Sequence, residues 1–152
     1  MKNVTLWFII DNWKILLAMK KRWFGKWFYN WFWWKQENWE TIEQSMIREA
    51  NEEIWIKIKQ MKKVGILNFY FEDKASLDQK AYVFKIISYE WIPKESDEMK
   101  PFWFNINKIP FDKMWEDDII WFNDFLNWNY FEYNFYFDEN WKLLKWEKIW
   151  SN

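Results

Sequence analysis

Cysteine and histidine are absent from the 152 residues, and glycine occurs only twice. Without thiols there are no disulfides and no thiolate metal sites. Without imidazole there is no histidine base and none of the usual zinc ligand sets. Any catalytic acid, base or metal ligand must then come mainly from Asp, Glu, Lys, Arg or Tyr. A formal net charge of -1 offers no overall field for a polyanion, so a nucleic acid polymer is not an expected partner. No apolar run reaches the roughly 18 residues a spanning helix needs, and the N-terminal "LWFII" is too short for a secretory signal. The expectation is a cytoplasmic protein with no membrane partner. The length suits a single domain over 1–152 that buries about two thirds of its unfolded surface.

Tryptophan is what the chain has in excess. Ordinary usage would supply about 11 glycines at this length, whereas there are 2, beside 17 tryptophans. Deficit and excess fall at the same kind of place. "DNWK" (11–14) and "DENWK" (138–142) have the form of hairpin turns with Trp13 and Trp141 in the glycine slot, and Trp55 stands where a helix end favours a left-handed residue.

Apolar runs at Val4 to Ile10 and Ile15 to Met19 read as two strands, as do "VGILNFYF" (64–71) and "AYVFKIIS" (81–88). Thr41 and Gln44 form a capping box, and Ile42, Met46, Ile47, Ala50 and Ile54 continue from it at helical spacing to about residue 54. Pro93, Pro101 and Pro110 mark a loop-rich stretch. A second helix is expected from about Asp117 to Leu126, followed by a closing hairpin. Strands interleaved with two helices predict an α/β (α+β) fold: a mixed sheet with helices on both faces, an α/β/α sandwich.

On the first helix Glu49, Glu52 and Glu53 fall within an arc of about 100°. Three carboxylates so placed suit a hard divalent cation, and Arg48 can hold one of them in position. On helix composition alone the favoured reading is a solvated charged face with one ion pair.

Spacing separates the two readings. Glu40, Arg48, Glu49, Glu52 and Glu53, with small Ala50 and apolar Ile56, match every charged position of the Nudix box, G-x5-E-x7-R-E-U-x-E-E-x-G-U. Its two glycines correspond to Trp34 and Trp55. The likeness extends through "MKKRWFGKWFYNWFWWKQENWETIE", "ESDEMKPFWF" and "IPFDKMWEDD", and in these stretches the chain resembles the MutT-like oxidised-purine nucleoside triphosphatases. Trp23, Trp31, Trp33, Trp34, Trp39 and Trp55 stand where that family has glycine, and Trp27, Trp91, Trp13 and Trp141 are read with them. Trp103, Trp115 and Trp121 stand where it has tryptophan. One-directional exchange that spares charged neighbours suggests UGA codons read as glycine by the source organism.

The resemblance implies Mg²⁺-dependent (or Mn²⁺-dependent) hydrolysis of an oxidised purine nucleoside triphosphate such as 8-oxo-dGTP, by a monomer, to the monophosphate and pyrophosphate. It implies metal ligation by Glu49, Glu52, Glu53, Glu98 and the backbone carbonyl of Trp34, with Glu52, Glu53 and Arg48 as the catalytic group. It further implies substrate contacts from Lys20, Phe24, Asn30, Phe69, Phe71, Trp115, Asp117 and Asp118, the indole of Trp115 stacking on the purine. Taken without the resemblance, Glu98 is one carboxylate in an acidic loop, the three Phe are core, and the Asp pair is the start of a helix. Glu116 replaces a family proline and Tyr29 a family tryptophan, which leaves the fine base preference open. A Nudix hydrolase of another nucleoside diphosphate derivative is the second reading. A non-catalytic nucleotide-binding protein is the third, if the tryptophans are genuine.

Overall fold

A computed structural model describes residues 1–21, 29–30, 32–97 and 99–151, with the side chains of 20, 29, 30, 32–34 and 151 outside the description. One sheet carries nine strands: β1 (Lys2–Asp11), β2 (Lys14–Lys20), β3 (Tyr29–Asn30), β4 (Phe32–Lys35), β5 (Lys57–Phe71), β6 (Gln79–Glu90), β7 (Met99–Asn105), β8 (Phe131–Phe137) and β9 (Leu143–Ser151). Its main order is β3-β2-β1-β6-β5-β8-β9, with β4 paired to β1 and β7 to β2. The pairs β1:β6 and β5:β8 are parallel and the others antiparallel, so the sheet is mixed.

Alternation along the strands divides the apolar side chains between two faces. Val4, Leu6 and Phe8 of β1 pack with Trp121, Phe122 and Phe125 of helix α2 (Asp118–Leu126). Trp7 and Ile9 of the same strand pack on the other side with Met46, Ala50 and Ile54 of helix α1 (Ile42–Ile54). The two clusters give the expected layers. Each buried side chain of this size contributes about 1.5–3 kcal/mol. Gly65 of β5 pairs with Phe131 of the parallel strand β8, whose ring lies so close over it that a Cβ would stand 2.4 Å away, so glycine fits there without displacing the ring.

Helix α1 begins as its sequence dictates. The Thr41 hydroxyl accepts from the Gln44 N–H at 3.1 Å, and the Gln44 side chain accepts from the Thr41 N–H at 2.8 Å. The helix thus satisfies its first donors locally and holds its carboxylate edge in fixed orientation.

The stretch read as loop-rich contains a strand. β7 runs antiparallel to β2, with Pro101 opposite Ala18. β7 pairs only with β2, and on such an outer strand a proline's missing donor costs no ladder bond. Strand β5 also starts seven residues earlier than its apolar run, at Lys57, because "KIKQMKK" pairs along β6 with only Ile58 deeply buried.

Lys85 on β6 is buried beneath α2, where its ammonium donates to the Phe125 carbonyl at 2.6 Å. Burial, with the nearby Lys62 charge, holds its pKa down to about 7. Between about 7 and its ordinary 10.5 the unfolded chain binds more protons at this residue than the folded one, so stability rises with pH. The urea midpoint is expected to climb from pH 7 to 9, and Lys85→Met to flatten that climb. An equal slope in the variant would refute the assignment.

Candidate active site

Arg48 is the hub of the carboxylate edge. Its Nε donates to Glu40 Oε2 at 3.0 Å and its Nη2 to Glu40 Oε1 at 2.6 Å, a two-pronged pair with a carboxylate that is fully buried. The same guanidinium bonds Glu49 and reaches Glu52 Oε2 at 3.3 Å. Arg48 holds the Glu40 carboxyl down to about 2, assisted by the Glu37 N–H. Eight residues of separation, from the loop to the second turn of α1, are what this fork spans.

Glu49 behaves oppositely. Burial pushes its pKa up to about 8 against the pull of Arg48, and Glu52 and Glu53 push in the same direction. One of its oxygens is bonded to Arg48, and the other, Oε2, is buried without a hydrogen-bond partner. A buried carboxyl left incomplete in this way has an oxygen in reserve for a ligand.

Glu52 and Glu53 face a cavity of about 660 Å³ lined also by Lys21, Trp55, Glu95, Ser96 and Asp97. The far wall is a strap from Ile92 to Asp97. Its Lys94 N–H donates to the Ile54 carbonyl at the end of α1, at 2.9 Å. Lys21 pairs with Glu95 and donates to the Ser96 carbonyl at 2.8 Å. Lys21 lies next to Lys20, which the resemblance placed among the substrate contacts, and it shares with it the basic run "KKR" (20–22). Its partners lie about 75 positions away, and no spacing within the chain announces them.

The cavity offers hard oxygen donors of the kind Mg²⁺ or Mn²⁺ takes. Among the described residues, however, no three Asp or Glu side chains are gathered into a ready cage. Glu52 and Glu53 share the cavity, while Glu49 is turned to Arg48. Glu98 and Phe24 lie outside the described residues, as do the side chains of Lys20, Asn30 and Trp34. The backbone at 34 forms part of β4, opposite Thr5.

The residues expected at the base-reading end are brought together in part. Phe69 stacks on Phe135 and Phe71 on Phe137. The Trp141 indole lies 4.6 Å from Phe71 and 6.4 Å from Trp115, between these two candidate contacts. Asp117 and Asp118 are both buried. Asp117 stands at the N-cap position of α2 but has helical dihedrals and makes no side-chain cap bond. Its carboxylate accepts from the Trp121 indole N–H at 3.4 Å, and burial pushes its pKa up to about 6. Asp118 accepts from the Trp115 N–H at 3.2 Å and so ties the indole's backbone to the helix start.

The mixed sheet between two helices is a fold that MutT proteins of known structure share. A crystal structure of the MutT protein from Bacillus halodurans superposes with a TM-score of 0.86 at 23% identity over 98% of each chain. The bifunctional NMN adenylyltransferase/ADP ribose pyrophosphatase of Francisella tularensis, solved with AMP and a Mn ion, has a TM-score of 0.61 at 23% identity over 83% of this chain and 41% of that one. No family model matches the chain. An oxidized purine nucleoside triphosphate hydrolase from Danio rerio is 43% identical over 80% of this chain and 77% of its own length. One of the same name from Mus musculus is 37% identical over 78% and 75%. The chain belongs to the oxidized purine nucleoside triphosphate hydrolases, a family of Nudix fold. Among the described residues no helix is long and apolar enough to cross a membrane.

Proposed function

We propose that the chain hydrolyses oxidised purine nucleoside triphosphates of the 8-oxo-dGTP type to the monophosphate and pyrophosphate, as one domain clearing the cytoplasmic nucleotide pool. The observation that carries the reading is Glu52 and Glu53 facing one cavity, beside Glu49 on the same helix and Glu40 just before it, both clamped by Arg48.

Glu49, Glu52 and Glu53, with Glu98 and the carbonyl at 34, would hold a divalent cation. When bound, that ion would neutralise phosphate oxygens and lower the pKa of a water. The protein's own contribution is positioning and proton handling. Arg48 keeps Glu40 and Glu49 from drifting, so the edge keeps its geometry as charge changes in the cavity. Either Glu52 or Glu53 accepts the proton of the attacking water, since both face the cavity. Lys21, tethered to the strap, supplies a positive wall toward the phosphates. At the other end Asp117, its pKa near 6, keeps part of its proton close to neutrality while Asp118 accepts. A donor beside an acceptor can read the edge of an oxidised purine.

The test is turnover with Mg²⁺ of 8-oxo-dGTP beside dGTP, a sugar nucleotide and a capped nucleotide, with the products resolved. A clear excess of kcat/KM for 8-oxo-dGTP over dGTP, with pyrophosphate released, is the expected result. Preference for a sugar or capped nucleotide would replace the substrate, and hydrolysis of none would favour a nucleotide-binding protein without chemistry.

A further inference from the structure

Among the described residues, seven that are not glycine have positive φ. Asn12 and Asp73 are two of them, and the other five are Trp13, Trp55, Trp91, Trp128 and Trp141, with φ between 58 and 72°. Asn and Asp enter this region readily, whereas a bulky side chain is strained there. No other aromatic and no β-branched residue among the described ones adopts it.

Local hydrogen bonding requires the conformation at four of the five positions. Asn12 and Trp13 are the two central residues of the β1–β2 hairpin, closed by the Asp11–Lys14 pair, and both having positive φ defines the turn that favours Asn-Gly. Trp55 ends α1 with its N–H on the Asn51 carbonyl at 3.0 Å. At the end of α2 the Trp128 N–H bonds Phe125 O at 3.2 Å and the Asn129 N–H bonds Asp124 O at 3.1 Å, the paired bonds of a glycine-type helix stop. Trp141 closes the β8–β9 turn, its N–H on Asp138 O at 3.1 Å.

Packing accounts for only part of the set, with the Trp141 ring against Phe71 and the Lys85 ammonium over the Trp128 ring. Trp13 is 80% exposed, Trp91 59%, Trp55 56% and Trp128 51%. Trp7 and Trp121, by contrast, are fully buried with ordinary backbone and fill the two cores. Backbone conformation thus sorts tryptophans that composition cannot. It adds Trp128, which nothing in the sequence distinguished, and it leaves Trp33, Trp34 and Trp39, read as glycine positions, outside the left-handed set.

We infer that the working protein carries glycine at positions 13, 55, 91, 128 and 141, encoded by UGA that its source organism reads as glycine, and tryptophan at positions 7 and 121. The exchange also remodels the site, a consequence that rests on the hydrolase reading. The Trp55 indole lines the cavity beside Glu52 and Glu53, and the Trp141 indole stands between Phe71 and Trp115. Glycine removes an obstruction from the phosphate end and another from the base end.

Reading the gene tests the inference without any assay. UGA at codons 13, 55, 91, 128 and 141, with UGG at 7 and 121, is expected. UGG at any of the five, or UGA at codon 7 or 121, overturns it. In the expressed 17-Trp chain, Trp128→Gly and Trp13→Gly should each raise the thermal midpoint by a few degrees, and a fall in both would count against the left-handed assignment. UGA codons together with an inactive glycine form would sink the hydrolase reading and uphold this one.

Discussion

Glu53→Gln lowers the kcat of the glycine-restored protein on 8-oxo-dGTP by about 10²–10⁴-fold, the range for removing a positioned proton acceptor, with circular dichroism and thermal midpoint close to those of the parent. Glu53 is buried on the cavity side of α1 and shares that cavity with Glu52. Glutamine keeps its size and loses its negative charge. Mg²⁺ should raise the parent's thermal midpoint, because a ligand that binds only the folded state stabilises it, and raise the variant's far less. Glu43→Gln, an exposed change in the first turn of the same helix, should alter neither activity nor Mg²⁺ response. A Glu53→Gln protein with full turnover would remove the carboxylate edge from the chemistry.

Arg48→Ala unfolds more easily by about 3–5 kcal/mol, the usual loss when one partner of a buried ion pair is deleted. Glu40 is the reason: its buried carboxylate takes both prongs of the guanidinium and would be left charged and uncompensated. The sign of the pH dependence follows. Glu40 is held at about 2 in the fold against 4.5 ordinarily, so its contribution is complete above about 4.5 and disappears as pH falls toward 2. The gap between parent and variant in urea should therefore be wide at pH 6 and narrow by pH 3. Glu49 works in the opposite sense. Its carboxyl, pushed up to about 8, costs stability as pH rises from about 4.5 toward 8. Arg48→Lys should recover charge without the fork and so only part of the lost stability. A constant gap from pH 6 to 3 would show that the pair with Glu40 is not what Arg48 contributes.

How far the sequence could be read depended on whether the deciding contact was local. The Thr41–Gln44 box needs three residues and was found with its helix correctly bounded at Ile54. The acidic edge needs only helical periodicity. β7 was missed because Pro101 reads as a loop wherever its strand has neighbours on both sides, and a sequence cannot reveal that this strand lies outermost. The Lys21–Glu95 tie and the burial of Lys85 under α2 depend on which strands become neighbours, and only the assembled sheet settles that. Asp117 holds the cap position that its residue type suggests, yet its carboxylate is buried against the Trp121 indole N–H instead of capping the helix.

The parallel pairing of β1 with β6 also bears on how the chain is made. Lys2 waits for Gln79 and Ile9 for Ile86, so β1 has its parallel neighbour synthesised long after it. Until then Leu6, Trp7 and Phe8 are shielded on one side by the β2 hairpin and β4 alone. Distant pairings of this kind slow folding and expose sticky edges meanwhile. Truncated chains ending before residue 79 should therefore bind chaperones and aggregate, whereas those extending past Glu90 should begin to resist protease.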